Sequence, residues 1–294
     1  MDLKFSIVIP NYNSGPALER ALRSLLAQDR DLQLILVDAC SSDESREIVE
    51  RYRPKLDTVI VEKDDGQADA LNKGFARATG DIFAWLCADD ELLPGALNEV
   101  ERVFAAIPDT GVVFGACERV YADGSRATMI PDQNPWQKIG IQDVVEQPST
   151  FWRADLHRRL GPLDTSFQLA FDWDLWCRMA RAGARFSRTE QVLARYYFTA
   201  ANKTSRAGGL FAREAFVILR RYGPLNGRLA DVYRLLYRHF DLYGCFDQPR
   251  TCGRLRELAF FATHRLLRAT IRERLLGLYN WHFASLQERG KQWW

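Results

Sequence analysis

Two adjacent carboxylates, Asp89 and Asp90, directly follow the apolar run Ile82–Cys87 in a chain that has no Gly-rich phosphate loop. Carboxylate oxygens suit a hard divalent cation, and such an ion can bridge a diphosphate and neutralise it. The pair therefore points to Mg2+ or Mn2+ balancing the charge on a leaving nucleoside diphosphate. An aspartate just ahead of Pro94 can also cap the helix that the proline opens, and one pair can do both. A second pair, Asp172 and Asp174, flanks Trp173 at the head of an amphipathic stretch running to Ala182. Residues two apart on a helix do not share a face. One of the two suits a general base and the other a cap, and their position alone favours capping. Asp38 closes another apolar run and can accept a hydrogen bond from a ribose or base, or close a turn with Ser41 and Ser42. Tyr12 can stack on a base or cover the core. In Asp64-Asp-Gly-Gln-Ala-Asp-Ala-Leu-Asn-Lys-Gly74 two acids precede a helix carrying Asp69, Asn72 and Lys73. Lys73 is a natural diphosphate partner. It is equally a solvated cation beside acids that complement the helix dipole.

The elements that must position these groups can be read from periodicity. Phe5–Pro10, Leu34–Asp38, Thr58–Glu62, Ile82–Cys87 and Gly111–Gly115 are short apolar runs of strand length. Between them Ala17–Gln28, a segment from Ser42 or Asp43 to about Arg51, Gln67–Ala78 and Pro94–Ala106 carry apolar residues at helical spacing. Alternating strands and helices over some 115 residues imply a parallel, doubly wound sheet. Ligands of such sheets bind beyond the carboxyl ends of the strands, where Asn11, Tyr12, Asn13, Asp38, Asp64, Asp65, Asp89 and Asp90 all fall. Farther on, Asp123-Gly124 suits a hairpin turn. Gln147–Trp152 reads as extended, Ala154–Leu160 as helix and Gln191–Phe198 as strand.

The chain has 294 residues, 47% hydrophobic and 27% charged, with a net charge of +2. That small balance hides an uneven distribution. Residues 205–294 carry +9 and the remainder −7, an acidic front and a basic tail that suggest two tasks. Six scattered cysteines show no Cys-x-x-Cys pair, and nothing like a signal peptide precedes the first strand, which favours free thiols in a cytosol. No apolar stretch reaches the roughly 18 residues of a membrane span.

Taken in order, these segments resemble the family 2 glycosyltransferases, whose fold is GT-A. The resemblance is carried by Ser6-Ile-Val-Ile-Pro-Asn-Tyr-Asn13, Leu36-Val-Asp-Ala-Cys-Ser-Ser-Asp43, Asp65-Gly-Gln-Ala-Asp-Ala-Leu-Asn-Lys-Gly74, Ala78-Thr-Gly-Asp81, and Trp85-Leu-Cys-Ala-Asp-Asp90 with Leu93-Pro-Gly95. Gln147-Pro-Ser-Thr-Phe-Trp152 and Phe171-Asp-Trp-Asp-Leu-Trp176 complete it. It implies a catalytic domain over 1–204 that moves a sugar from a nucleotide sugar, UDP-linked by default, to a saccharide or lipid-linked acceptor. Pro10, Tyr12 and Asp38 would hold the base, with Asn11 and Asn13 in the same loop. Asp65, Gly66, Asn72 and Lys73 would form the next donor-binding segment. Asp89 would contact the ribose, and Asp90, with Asp89 beside it, would ligate Mn2+ or Mg2+. Asp172 would deprotonate the acceptor hydroxyl for an inverting attack, with Asp174 the helix-side acid. The chain departs from its relatives at Phe171, where many have an acid, at Cys87, a commonly polar position, and at Tyr197 and Thr199, where an Arg and a His are frequent. Asn202-Lys-Thr204 matches the family's donor lid. Gln191 to Tyr196 lacks the spacing of the processive synthases, so one sugar per encounter is expected, in polysaccharide or glycolipid synthesis. A silent sugar-nucleotide-binding scaffold is the competing reading. A nucleotidyltransferase would need a basic triphosphate loop that Asn11–Pro16 lacks.

The tail, 205–294, reads as basic amphipathic helices with breaks at Gly223-Pro224, Asn226-Gly227 and Gln248-Pro249. Arginines alternating with Leu, Phe, Tyr and Trp suit an anchor on the inner face of a membrane, with Trp281, Trp293 and Trp294 at the interface. They suit at least as well helices packed on the protein or on a second copy of it, arginines outward. The apolar periodicity argues against nucleic acid.

Overall fold

A computed structural model describes residues 3–199, 202–203, 208–223 and 227–239, with single positions between 255 and 269. Contacts divide the chain into two compact units, residues 1–136 with 144–200, and residues 137–143 with 201–294.

The first unit runs β1 (Phe5–Asn11), α1 (Pro16–Leu26), β2 (Leu32–Asp38), α2 (Ser45–Tyr52), β3 (Thr58–Val61), α3 (Gln67–Phe75), β4 (Ile82–Trp85), β5 (Glu91–Leu92), α4 (Ala96–Ala106), β6 (Thr110–Tyr121), β7 (Arg126–Met129), β8 (Thr150–Arg153), α5 (Ala154–Leu160), α6 (Phe171–Arg181) and β9 (Arg185–Phe198). Among the described residues the nine strands form one sheet in the order β3-β2-β1-β4-β8-β6-β9-β5, with β7 against β6. The first four are parallel, in the register Asn11 to Asp38 and Asp38 to Val61. Every residue of β1 is buried, as expected of a parallel strand covered on both faces. Helix α3 lies close enough that a Cβ on Gly74 would meet a Val8 methyl at 2.3 Å, so only glycine fits there. The architecture is α/β, as the sequence implies, and β6 and β9 pair in parallel like the first four strands. The β5–β9 and β6–β7 pairs are antiparallel, and β8 enters antiparallel between β4 and β6. Its four residues are too few to show a direction in the sequence.

Two capping expectations are corrected. Helix α4 starts after Gly95, which is left-handed and caps without a side chain, so neither Asp89 nor Asp90 serves as its cap. Helix α6 begins after Ala170, which places Asp172 and Asp174 in its first turn.

Aromatic side chains fill the space between the sheet and α5–α6. His157 sits among them, its ring 4.7 Å from Phe75 and 5.5 Å from Phe83, and its Nδ1 is buried without a partner. Burial, followed by the charges of Arg178 and Arg158, lowers its pKa to about 4. The unfolded chain therefore takes up a proton near pH 6.5 that the folded chain refuses. Stability should fall by up to about 3 kcal/mol as the pH drops from 6.5 to 4. Chemical denaturation at several pH values checks this, and His157→Phe should flatten that part of the profile.

The second unit contains α7 (Gly208–Tyr222) and α8 (Arg228–His239). They pack through Phe216 and Tyr237, whose rings meet edge to face at 5.0 Å, and Arg220 pairs with Asp231 at 2.9 Å. The expected breaks at 223–224 and 226–227 fall between the two helices. The break at 248–249, Thr204 and the three terminal-region tryptophans lie outside the described residues.

Candidate active site

Strand β4 is buried along its whole length and stops at Trp85. The chain then turns through Cys87–Asp90, closed by the Asp90 amide donating to the Cys87 carbonyl at 3.0 Å. This turn stands at the carboxyl edge of the parallel strands. Asp90 is fully buried. Its Oδ1 accepts only a long bond from the Tyr197 amide, 3.4 Å, and its Oδ2 has no protein partner. Burial, then the charge of Asp89, pushes its carboxyl well above the usual range, against the Tyr197 amide and Arg20. A buried acceptor left without a donor costs about 1–3 kcal/mol, more when charged. A cation answers that deficit in a way no neighbouring side chain does. Cys87 Sγ and one carboxylate oxygen from each of Asp89 and Asp90 lie within 4.8 Å of one another. The residues present therefore fit a divalent ion.

Cys87 links this corner to three other segments. Its sulfur accepts from Gln67 Nε2 at 3.2 Å, from the start of α3, and its S–H donates to Gln147 Oε1 at 3.5 Å. Gln147 in turn donates to the Trp85 carbonyl at 2.8 Å. The thiol is pushed well up, first by burial and then by Asp90 and Asp89, with Asp172 also acting on it. The charge of Asp172 thus reaches the same thiol as those of Asp89 and Asp90.

Helix α6 is held by stacking. The Trp85 and Trp176 rings lie 5.7 Å apart and 4° from parallel, and Trp152 meets both edge-on at 5.4 Å. Phe171 joins at 6.1 Å from Trp85, so the residue that many relatives replace by an acid extends this core. Asp172 is half-buried, its Oδ1 receiving the Trp173 amide at 2.7 Å. Asp174 instead points inward to Arg178 at 2.9 Å, and Arg178 reaches the Leu160 and Gly161 carbonyls. The two acids thus face different surroundings, only Asp174 bracing the preceding loop.

At the ends of β1 and β2, Asp38 is buried and accepts from Asn11 Nδ2 at 2.5 Å and from the Ser41 amide and hydroxyl at 2.8 and 2.5 Å. Asn13, with a left-handed φ of 50°, exchanges bonds with Ser41 and Ser42. These bonds tie the ends of β1 and β2 together, with Tyr12 standing 65% exposed beside them. Of the two readings of Asp38, the structure shows the turn with Ser41. In the next segment Asp65 is exposed and Gly66 turns the chain with φ 117°. Asn72 uses its whole amide to clamp the backbone of Leu163, donating at 3.0 Å and accepting at 2.8 Å. Lys73 is paired with Glu62 at 3.0 Å and Asp69 at 3.1 Å and donates to the Lys63 carbonyl, contacts that raise its pKa further. As the side chains stand, both residues brace the segment.

The family model for glycosyl transferase family 2 matches residues 6–157, just over half of the chain. The chain belongs to that family. Among curated relatives, an uncharacterised glycosyltransferase of Nostoc sp. is 37% identical over 191 residues, 59% of this chain and 56% of that protein. The chain thus spans little more than half of that relative's length. A PGL/p-HBAD biosynthesis glycosyltransferase of Mycobacterium tuberculosis is 29% identical over 66% of this chain and 76% of its own. Among solved structures, TarS 1-349 of S. aureus in complex with UDP-GlcNAc superposes with a TM-score of 0.62 at 19% identity, covering 99% of this chain and 93% of that one. The mannosyltransferase PcManGT of Pyrobaculum calidifontis, in complex with GDP-Man and Mn2+, gives 0.61 at 18%, covering 97% and 87%. At such identities the likeness shows the fold.

This family 2 member also has site neighbours that the sequence reading passed over. Arg20 of α1 holds the Asp89 carbonyl at 2.8 Å and lies 3.9 Å over the Tyr197 ring. Tyr197 donates its hydroxyl to Glu91 at 2.7 Å, and Arg195 bridges Glu91 and Glu118. Together they lock β9 behind the Asp89-Asp90 turn. Nothing in the spacing of residues 20, 91, 118, 195 and 197 announces a network, because they come from four elements, α1, β5, β6 and β9. Gln67 and Gln147 were within reach of sequence reasoning, each lying inside a recognised motif.

Proposed function

We propose that this protein transfers one sugar from a nucleoside diphosphate sugar, UDP-linked, to an acceptor hydroxyl with inversion at the anomeric carbon. The observation that carries the reading is the buried, unpartnered Asp90 oxygen beside Asp89 and Cys87. Asp89 and Asp90 would hold Mn2+ or Mg2+, and a bound ion supplies the positive charge that offsets the leaving diphosphate. The Asn11–Asp38–Ser41 cluster receives the base with Tyr12 as its exposed stacking face. Gln67 and Gln147 fix the floor between the two ends of the donor. Asp172, held by the tryptophan stack, takes the acceptor proton as the hydroxyl oxygen attacks. Support comes from the nucleotide sugars bound by TarS and PcManGT, and from the mycobacterial relative named for PGL/p-HBAD biosynthesis.

The catalytic domain in this reading is 1–204, the acceptor is a saccharide or lipid-linked glycan, and the enzyme works in the cytoplasm. No described helix is long and apolar enough to cross a membrane. Ala215, Ile218 and Leu219 of α7 and Leu229, Tyr233 and Tyr237 of α8 are buried, which supports helix packing as the main use of that apolar face. Peripheral membrane contact and self-association are left to the residues beyond α8.

A thermal-melting panel of nucleoside diphosphates and their sugars, with and without Mn2+, tests the proposal. A nucleotide present at about 100 times its Kd should stabilise the fold by about 2.7 kcal/mol, with UDP ahead of GDP. Absence of any nucleotide-dependent shift in Mn2+ would sink it.

A further inference from the structure

The mechanism above uses Asp89 and Asp90 at the cation and leaves Cys87 as floor. The surroundings of Cys87 do not suit a thiol that merely fills space. A buried thiol packs as a small hydrophobe, whereas this one lies beside two carboxylates, accepts from the Gln67 amide and donates to the Gln147 oxygen. An amide aimed at sulfur orients it and stabilises negative charge on it, the arrangement that outer-sphere groups give a metal ligand. The distances agree. A thiolate about 2.3 Å and a carboxylate oxygen about 2.1 Å from one ion lie no more than about 4.4 Å apart, and the three atoms here lie within 4.8 Å. A few tenths of an ångström of side-chain movement closes the set. The independent sign that something is meant to sit there is Asp90, fully buried with one carboxylate oxygen unpartnered.

We propose that Cys87 is a third protein ligand of the cation, so that this site holds thiophilic divalent ions such as Co2+, Zn2+ and Cd2+ more tightly than Mn2+, and Mn2+ more tightly than Mg2+. The inference rests on the reading of Asp89 and Asp90 as a cation site and adds the residue that sets its preference. Coordination replaces the S–H bond by an S–metal bond, and the proton leaves to solvent, so binding releases one proton per ion. Soft sulfur discriminates against Mg2+, which favours oxygen ligands in a strict octahedron.

The experiment uses the full-length protein, stripped by a chelator and titrated with Co2+ alone, without nucleotide. The expected result is a near-ultraviolet thiolate-to-cobalt charge-transfer band that saturates at one ion per chain. It should disappear in Cys87→Ser, which keeps the side-chain size, with the apo melting temperature confirming that the variant is folded. In Cys87→Asp the ratio of Mn2+ to Mg2+ affinity should narrow by tenfold or more. Co2+ bound one to one without the band, or with the band retained in Cys87→Ser, overturns the proposal while leaving the two-carboxylate site intact. Failure of every divalent ion to bind removes both.

Discussion

Asp172→Asn should lower kcat by about 100- to 10,000-fold, the range that a positioned general base contributes, while the Kd of the donor in Mn2+ stays within twofold. The physical reason is that the amide keeps the shape and the bond from the Trp173 amide but cannot take a proton. Helix α6 should not move, since its seat is the Trp85–Trp176 stack and the Asp174–Arg178 pair. Single-turnover kinetics with isothermal titration separates the two quantities. A variant that turns over at the wild-type rate would refute the base assignment, and one that loses donor binding would make Asp172 a positioning residue.

The second large effect is at Asp90. Asp90→Asn should abolish the Mn2+-dependent part of donor binding, lowering donor affinity by at least tenfold, yet the metal-free variant should melt no lower than the wild type. The carboxyl is buried and lacks a full set of donors, so ionising it in the metal-free fold costs free energy. The sign follows from linkage. Its carboxyl lies above the unfolded value, so the folded chain keeps a proton that the unfolded chain releases above about pH 4. Stability in the absence of metal therefore declines as the pH rises from there toward the folded value, and the amide removes that decline. A metal-free Asp90→Asn protein that melts well below the wild type would show that the carboxylate is structural. Unchanged Mn2+ dependence would remove it from the cation site.

How much of this was legible beforehand differs from residue to residue. β1, β2 and β4 announce themselves because a strand buried on both faces must be apolar throughout, and a polar residue at its end must then lie at the sheet edge. That is why Asn11, Asp38, Asp89 and Asp90 could be named as site candidates before any coordinates. The two capping alternatives could not be decided in the same way. Whether an aspartate near a helix start caps it depends on the dihedral angles of the next few residues, and here Gly95 and Ala170 take the cap positions. Lys73 is a similar case. Its charge suits a diphosphate, but Glu62 lies eleven positions earlier, in the loop after β3, and only the fold shows that the two meet.

The sequence by itself determined the order of strands and helices, the family, and the side chains standing at the carboxyl ends of the parallel strands. These follow from local periodicity and from motifs contiguous in the chain. The tertiary structure alone decided the antiparallel entry of β8, the aromatic stack that seats Asp172, and the divergence of Asp172 from Asp174. It also decided that Asp90 is buried, with Asp89 and Cys87 half-buried beside it. Those depend on side chains far apart in sequence packing at a few ångströms, where burial changes the chemistry of a carboxylate or a thiol. Residue type and spacing carry no record of such contacts.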